Sequence, residues 1–323
     1  MSGPPQSVSP TLPGPTAPAA TAPPVVSIVV ATYNRSNVLR YTVQSVLRNS
    51  FQAWELIVVG DACTDDTAAV VASFNDPRIR FVNLPQNTGE QSGPNNAGAR
   101  LATGRYLAYL NHDDFWLADH LAVAVQELEQ RGADLVFTLG VRVEPNGSMT
   151  VTGASHSGRY EPYLGVPAPV WLFRRGLVEE IGPWRYFREI HAVPSQDWLY
   201  RVWRAGKTMV LIPRVTTFII PSGHRRNSYA SRAEAEHAAW FARMTTEPDF
   251  RATLQSEALR YYVCERNRPA VAGYVRLAMV NALARLAVWL GRSPMALHGW
   301  RKYGRRGGNL DKLRRIRGLP RIE

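Results

Sequence analysis

The sequence predicts an α/β fold, a mostly parallel sheet flanked by helices, followed by a helical C-terminal extension. Three observations carry that expectation. Short apolar runs alternate with amphipathic stretches from about residue 25 to residue 116. The alternation then loosens, with strand-like pieces separated by irregular chain. From about Arg232 the spacing is helical throughout.

The elements follow in order. Val25–Ala31 (VVSIVVA) is short, β-branched and uninterrupted, as a strand buried on both faces requires. In 37–48, Val38, Leu39, Val43, Val46 and Leu47 fall on one broad helical face. Glu55–Val59 is a second strand, and 65–74 a second helix opened by Thr64, Asp65, Asp66 and Thr67. Ile79–Leu84 is a third strand, the small polar stretch 93–102 a third helix, and Leu107–Leu110 a fourth strand. Further strands are expected at 134–141, 148–152, 209–212 and 216–220, with a helix over 196–205 ending at Gly206. Trp198 and Trp203 on that helix are expected in the core, whereas Trp171 and Trp184 suit either packing or a sugar site. Residues 1–24, rich in Pro, Ser, Thr and Ala, are expected to be a disordered leader. The remainder divides into a domain over 25–230 and a basic helical extension over 231–323.

Composition narrows the chemistry. The 323 residues carry a net charge of +12, which favours anionic partners. Cys63 and Cys264 are the only cysteines, too few for a disulfide framework and consistent with a reducing cytoplasm. No basic stretch followed by an apolar run marks a signal peptide. The most apolar late stretch, 270–290, contains Arg276, Asn281 and Arg285. A charge near a helix centre costs about 2.5–3.5 kcal/mol on insertion, so this stretch is not expected to span a membrane. With the basic tail it suits either an amphipathic segment on an anionic membrane surface or a helical cap on the domain. The tail lacks interleaved aromatic residues, which argues against nucleic acid.

The strand ends carry the polar groups. The first strand ends in Thr32-Tyr33-Asn34-Arg35, the second in Gly60-Asp61, and the fourth in Asn111-His112-Asp113-Asp114. Parallel strands end on the same side of a sheet, so these groups share one edge, where ligands bind in open α/β folds. Tyr33 could pack on a flat ring and Asp61 could accept a base N–H. Asp113 and Asp114 are hard oxygen ligands suited to Mg²⁺ or Mn²⁺ bridged to a diphosphate. A helix N-cap is the competing role for this acidic pair. His112 could touch phosphate or sit on a solvent-facing loop. His224, in the basic loop Ser222–Ser228, could close over the diphosphate or join the metal, or lie on a surface turn. Neither GxxxxGK[ST] nor GxGxxG occurs.

These pieces together resemble the family 2 glycosyltransferases. The resemblance rests on VSIVVATYNR (26–35), ELIVVGDACTDDT (55–67), NNAG (95–98), GRYLAYLNHDDFW (104–116) and SQDWLYRVWRAG (195–206), and covers about 25–225. It implies a GT-A fold with a nucleotide-binding half (25–116) and an acceptor half (117–230). It also implies inverting transfer of a sugar from a nucleotide-diphosphate donor to a glycan or lipid-linked acceptor. A UDP-sugar is favoured, with GDP or dTDP as alternatives. The donor site is then expected at Thr32, Tyr33, Asn34, Arg35, Asp61, Asn96, Asn111 and His112, the metal at Asp113 with Asp114, and the catalytic base at Asp197. Two positions depart from the family pattern: Gly60 stands where an aspartate is usual, and Asn111 where the acidic motif begins with Asp. The QxxRW motif and membrane helices of the processive synthases do not appear, so addition of one or a few sugars is expected, at the inner face of a cell membrane. A catalytically weak nucleotide-sugar-binding protein and a nucleotidyltransferase are the competing functions. The second is disfavoured because the loop after the first strand has no glycine.

Overall fold

A computed structural model describes residues 23–266 and 282–320. The first half alternates β1 (Val26–Thr32), α1 (Ser36–Leu47), β2 (Trp54–Gly60), α2 (Thr67–Ala72), β3 (Ile79–Asn83), α3 (Ser92–Leu101) and β4 (Tyr106–Asn111). These four strands are parallel in the order β3-β2-β1-β4, with Val30 opposite both Val58 and Leu110. Side chains alternate between faces as the pleat demands. Val29, Ile57, Val59, Leu107 and Tyr109 enter one core, and Ile28, Val30, Leu56, Val58, Ala108 and Leu110 the other.

Beyond β4 the sheet is mixed rather than mostly parallel. The later elements are β5 (Phe115–Trp116), α4 (His120–Gln130), β6 (Leu135–Val143), β7 (Met149–Thr152), β8 (Trp171–Arg174), α5 (Leu177–Ile181), α6 (Pro194–Arg204) and β9 (Met209–Ile219). The sheet continues β4-β8-β6-β9-β5, with β7 on β6. Only β6 and β9 pair in parallel here; β8 meets β4 and β6 antiparallel, as β7 meets β6 and β5 meets β9. The two expected late strands are one. Pro213 and Arg214 are exposed in mid-strand, and the register with β6 shifts between Thr138 and Gly140. Pro213 brings no N–H to the ladder, and the shift absorbs it.

The extension is helical: α7 (Ala235–Thr246), α8 (Phe250–Arg266), a helical run at 282–289 (α9), α10 (Pro294–Tyr303) and α11 (Gly308–Arg317). The leader to residue 22 and the stretch 267–281 lie outside the described residues. No described helix is long and apolar enough to cross a membrane. Trp171, Trp184 and Trp198 are buried in a single cluster, with Trp203 packed at its edge.

Candidate functional site

The C-terminal ends of β1, β2 and β4 open into one cleft, as parallel topology requires. Thr32, Tyr33, Asp61, Asn111, His112, Asp113 and Asp114 all line it. The facing wall comes from 191–194, Pro221, Ser222, Tyr229 and α11. The Tyr33 and Tyr229 rings stack with centroids 6.5 Å apart.

Asp61 is buried and committed to the loop that follows β3. Its Oδ1 accepts from the Thr88 amide and hydroxyl at 2.7 and 2.8 Å, and its Oδ2 from the Gly89 amide at 2.9 Å. A carboxylate offers about four acceptor positions, so one stays open to a ligand N–H. Burial raises its pKa against these bonds and the Arg314 charge.

Asp113 and Asp114 divide their tasks. Asp113 Oδ2 accepts the Ser222 amide at 3.0 Å, and Oδ1 is left unengaged. Asp114 is wholly buried; Oδ1 accepts the Ile220 amide at 2.9 Å and Oδ2 the Asn111 amide at 2.7 Å. Asp114 is therefore a staple between the exits of β4 and β9. It is neither a free metal ligand nor a helix cap, since α4 starts only at His120. The environment separates the two carboxyls. Burial would raise Asp113, but the His112 and His237 imidazoles, Arg317 and the Ser222 bond outweigh it and hold Asp113 below the usual range. Burial and the Asp113 charge push Asp114 well above it. The negative charge thus resides on Asp113. Burial also lowers His112 and His237, which leaves Arg317 as the permanent cation of this set.

The donor set fits a divalent ion in one way. Among the described residues no group of three or more His, Cys, Asp or Glu is placed to hold an ion alone. Asp113 Oδ1 offers a single hard oxygen, which suits Mg²⁺ or Mn²⁺ taking its other ligands from phosphate and water.

Both departures from the family pattern have local causes. A Cβ at Gly60 would lie 2.4 Å from Asn83 Oδ1 and 3.0 Å from Cys63 Sγ and Phe81. Asn83 is pinned there by two bonds with the Cys63 backbone, at 2.8 and 2.9 Å. Asn111 donates to buried Asp114, a task an aspartate could not perform without a shared proton.

Several expected site residues stand outside the cleft wall. Asn34, at φ +48°, accepts the Thr64 and Asp65 amides and donates to Thr64 Oγ1, which ties the β1 and β2 exits together. Arg35 is buried against the Ser228 carbonyl and the Tyr229 ring, so it supports the wall from behind. Both ends of the Asn96 amide are taken by the Trp184 backbone at 2.9 Å. His224 pairs with Glu144 at 2.6 Å, away from Asp113. Asp197 pairs with Arg201 at 3.0 Å and lies 3.6 Å from Arg185. The cleft wall from its helix ends at Pro194, so Asp197 does not face the donor edge.

Among the lining residues that the sequence did not single out are Glu90, Tyr229, Arg314 and Arg317. Glu90 is nearly buried; Oε2 accepts the Ser92 amide at 2.8 Å, while Oε1 is buried without a partner. Burial, reinforced by the Asp61 charge, pushes its pKa up to about 8. The aperiodic loop Asn87–Gln91 gives no sequence signal for it. The two arginines were legible only as members of a basic tail.

Residues 27–181 match the profile of Glycosyl transferase family 2. The succinoglycan biosynthesis protein ExoO of Rhizobium meliloti is 36% identical over 146 residues, 45% of this chain and 41% of that protein. An Escherichia coli protein, WfgD, named a UDP-Glc:alpha-D-GlcNAc-diphosphoundecaprenol beta-1,3-glucosyltransferase, is 29% identical over 113 residues, 35% of this chain and 44% of that protein. The matches thus span less than half the length of these relatives. Among solved structures, Staphylococcus aureus TarS 1-349 in complex with UDP-GlcNAc superposes with a TM-score of 0.53 at 17% identity, covering 91% of this chain and 90% of that one. The Pyrobaculum calidifontis mannosyltransferase in complex with GDP-Man and Mn²⁺ gives 0.52 at 19%, covering 90% of each chain. Such identities establish the fold alone. Sequence match and fold together make residues 27–181 a glycosyltransferase family 2 domain on a GT-A-type scaffold.

Proposed function

We propose that this protein transfers a sugar, with inversion, from a nucleotide-diphosphate donor to a glycan or lipid-linked acceptor of the cell envelope. The observation that carries the reading is the convergence of Tyr33, Asp61 and Asp113 from three strand ends on one cleft. Tyr33 with Tyr229 offers a surface for the base, and Asp61 an open acceptor for a base N–H. Asp113 would hold Mg²⁺ or Mn²⁺ with the diphosphate, where the ion neutralises charge on the leaving group. A relative named for a UDP-Glc donor and a diphosphoundecaprenol-linked acceptor, another named for succinoglycan biosynthesis, and structures solved with UDP-GlcNAc and GDP-Man support UDP- or GDP-sugars as the first donors to try.

Inversion in one displacement needs a base for the acceptor hydroxyl. The family resemblance places it at Asp197, which would first have to leave Arg185 and Arg201. Glu90 lines the cleft itself, with Oε1 buried and without a hydrogen-bond partner, which makes it the alternative candidate. Nucleotide release should be measured across donors with and without Mn²⁺, for the wild type, Asp197→Asn and Glu90→Gln. With Glu90 as base, Glu90→Gln falls by about 10²-fold or more, and the wild-type rate climbs as pH rises through about 8. Loss in Asp197→Asn alone, with no such climb, returns the role to Asp197. Release from no donor under any condition would sink the transferase reading.

A membrane surface is the proposed setting. Leu283, Leu286, Trp289 and Leu290 are exposed beside exposed Arg285 and Arg292, and Trp300 is exposed beside Arg301 and Lys302. Apolar anchors edged by cations suit an anionic interface. Co-sedimentation with phosphatidylglycerol vesicles is expected to weaken in high salt and on Trp289→Ala. Equal recovery with neutral vesicles would contradict this setting.

A further inference from the structure

The basic C-terminal helix forms part of the cleft, where the sequence left open a membrane-facing segment or a helical cap on the domain. Leu310, Leu313, Arg314 and Arg317 recur at helical spacing on one face of α11, and all four line the cleft. The helix is fastened in place. Asn227 and Tyr229 donate their amides to the Ile316 and Arg317 carbonyls at 2.7 and 3.2 Å, and Gly307 donates to the Ile190 carbonyl at 3.1 Å. Gly307, at φ +71°, packs so closely on Phe187 that a Cβ would approach its ring to 2.6 Å. Arg314 is buried and spent on structure: Nε donates to the Pro320 carbonyl at 2.8 Å and NH1 to the Gly89 carbonyl at 2.5 Å.

Arg317 differs. Its guanidinium lies over the Tyr229 ring, 5.6 Å from the centroid, and close to Gly223. Among the described residues it makes no hydrogen bond or ion pair, and its Nε is buried without a partner. A guanidinium carries five N–H donors in a fixed fork that matches phosphate oxygens. Leaving it unanswered in a half-closed cleft is costly unless an anion completes it. Arg315, the exposed arginine of the same helix, faces solvent and bears no such cost.

We propose that Arg317 is a diphosphate-binding residue of the donor site, so that the C-terminal helix supplies in cis a cation for the nucleoside diphosphate. This rests on the proposed donor-binding function. Arg317 lines the same cleft as Tyr33 and Asp113, over the Tyr229 ring and near enough to Asp113 for its charge to lower that carboxyl. It acts on the whole diphosphate, before and after sugar transfer, and accepts no proton.

Calorimetry of the full chain with UDP, GDP and the corresponding nucleosides, in Mg²⁺ buffer, tests it. Arg317→Gln is expected to weaken the diphosphate that the wild type prefers by about 10- to 100-fold, in the range of lost charge-assisted bonds, and to leave nucleoside binding unchanged. Arg317→Lys, which keeps the charge and loses the fork, should fall between. Arg315→Ala should match the wild type. Thermal unfolding of Arg317→Gln should change little, because only the contact with the Tyr229 ring and the charge near Asp113 are lost and no hydrogen bond is broken, and the lysine variant carries the same test if the glutamine variant proves unstable. Wild-type affinity for the diphosphate in both Arg317 variants, or equal loss for nucleoside and diphosphate, overturns this assignment alone. A wild type that binds neither diphosphate overturns the donor-site function and this assignment with it.

Discussion

Asp113→Asn should reduce sugar transfer by about 10²- to 10³-fold while leaving the protein folded, the scale set by losing one charged stabiliser of a developing anion. The reasoning starts from the division of charge at the end of β4. Asp114 is fully buried, bonded at both oxygens, and driven towards its protonated form by burial and then by the Asp113 charge. Asp113 lines the cleft and keeps the charge, with Oδ1 unengaged. Asparagine preserves an oxygen for the Ser222 amide, so the loop at 221–222 stays anchored. It removes the anionic oxygen that a Mg²⁺ or Mn²⁺ would need. The metal concentration for half-maximal rate should rise together with the loss of rate, and the far-ultraviolet circular dichroism should not change. Wild-type turnover by Asp113→Asn at limiting metal would remove Asp113 from the metal's ligands. Asp114→Asn makes the contrast. It exchanges a protonated acid for an amide that cannot accept at both ends, so its principal effect should be on stability.

The contrast shows where sequence reasoning succeeds. The first four strands announce themselves because parallel strands buried on both faces need unbroken apolar runs, and such runs fix where the strands end. Thr32, Tyr33, Asp61, Asn111, His112 and Asp113 were placed in the cleft by that logic alone. Beyond β4 the chain pairs antiparallel and through a bulge at Pro213, and local pattern carries no information about which distant strand is the partner. Side-chain commitments are equally silent. Nothing in SQDW says that Asp197 will be held by Arg201, one helical turn later, and by Arg185. Nothing in NNAG says that the Asn96 amide will clamp the Trp184 backbone. The basic tail shows the same limit from the other side: its charge is plain in the sequence, but neither the place of Arg314 and Arg317 in the cleft nor the close fit of Gly307 on Phe187 is.

Glu90→Gln should make the protein more resistant to denaturant at pH 9 and leave it unchanged at pH 4. Burial first, and the Asp61 charge after it, raise the Glu90 carboxyl to about 8, so the folded state holds its proton long after the unfolded chain has released it. Below the unfolded value, near 4.5, both states are protonated and the site does not favour either. As pH rises from there to about 8, the unfolded state gains, by up to about 1.4 kcal/mol per pH unit. Glutamine has no proton to lose and keeps an oxygen for the Ser92 amide. Urea titrations of the two proteins should coincide at low pH and diverge by up to about 5 kcal/mol by pH 9, with the variant the more stable. A constant difference across that range would mean that Glu90 titrates normally and is better solvated than its position implies. A carboxyl kept at such a cost beside Asp61 in the cleft wall, with one oxygen buried and unpartnered, is the kind of local expense that functional sites carry and structural positions shed. The same substitution that strengthens the fold above neutral pH should therefore weaken transfer, and the two effects should share one apparent pKa.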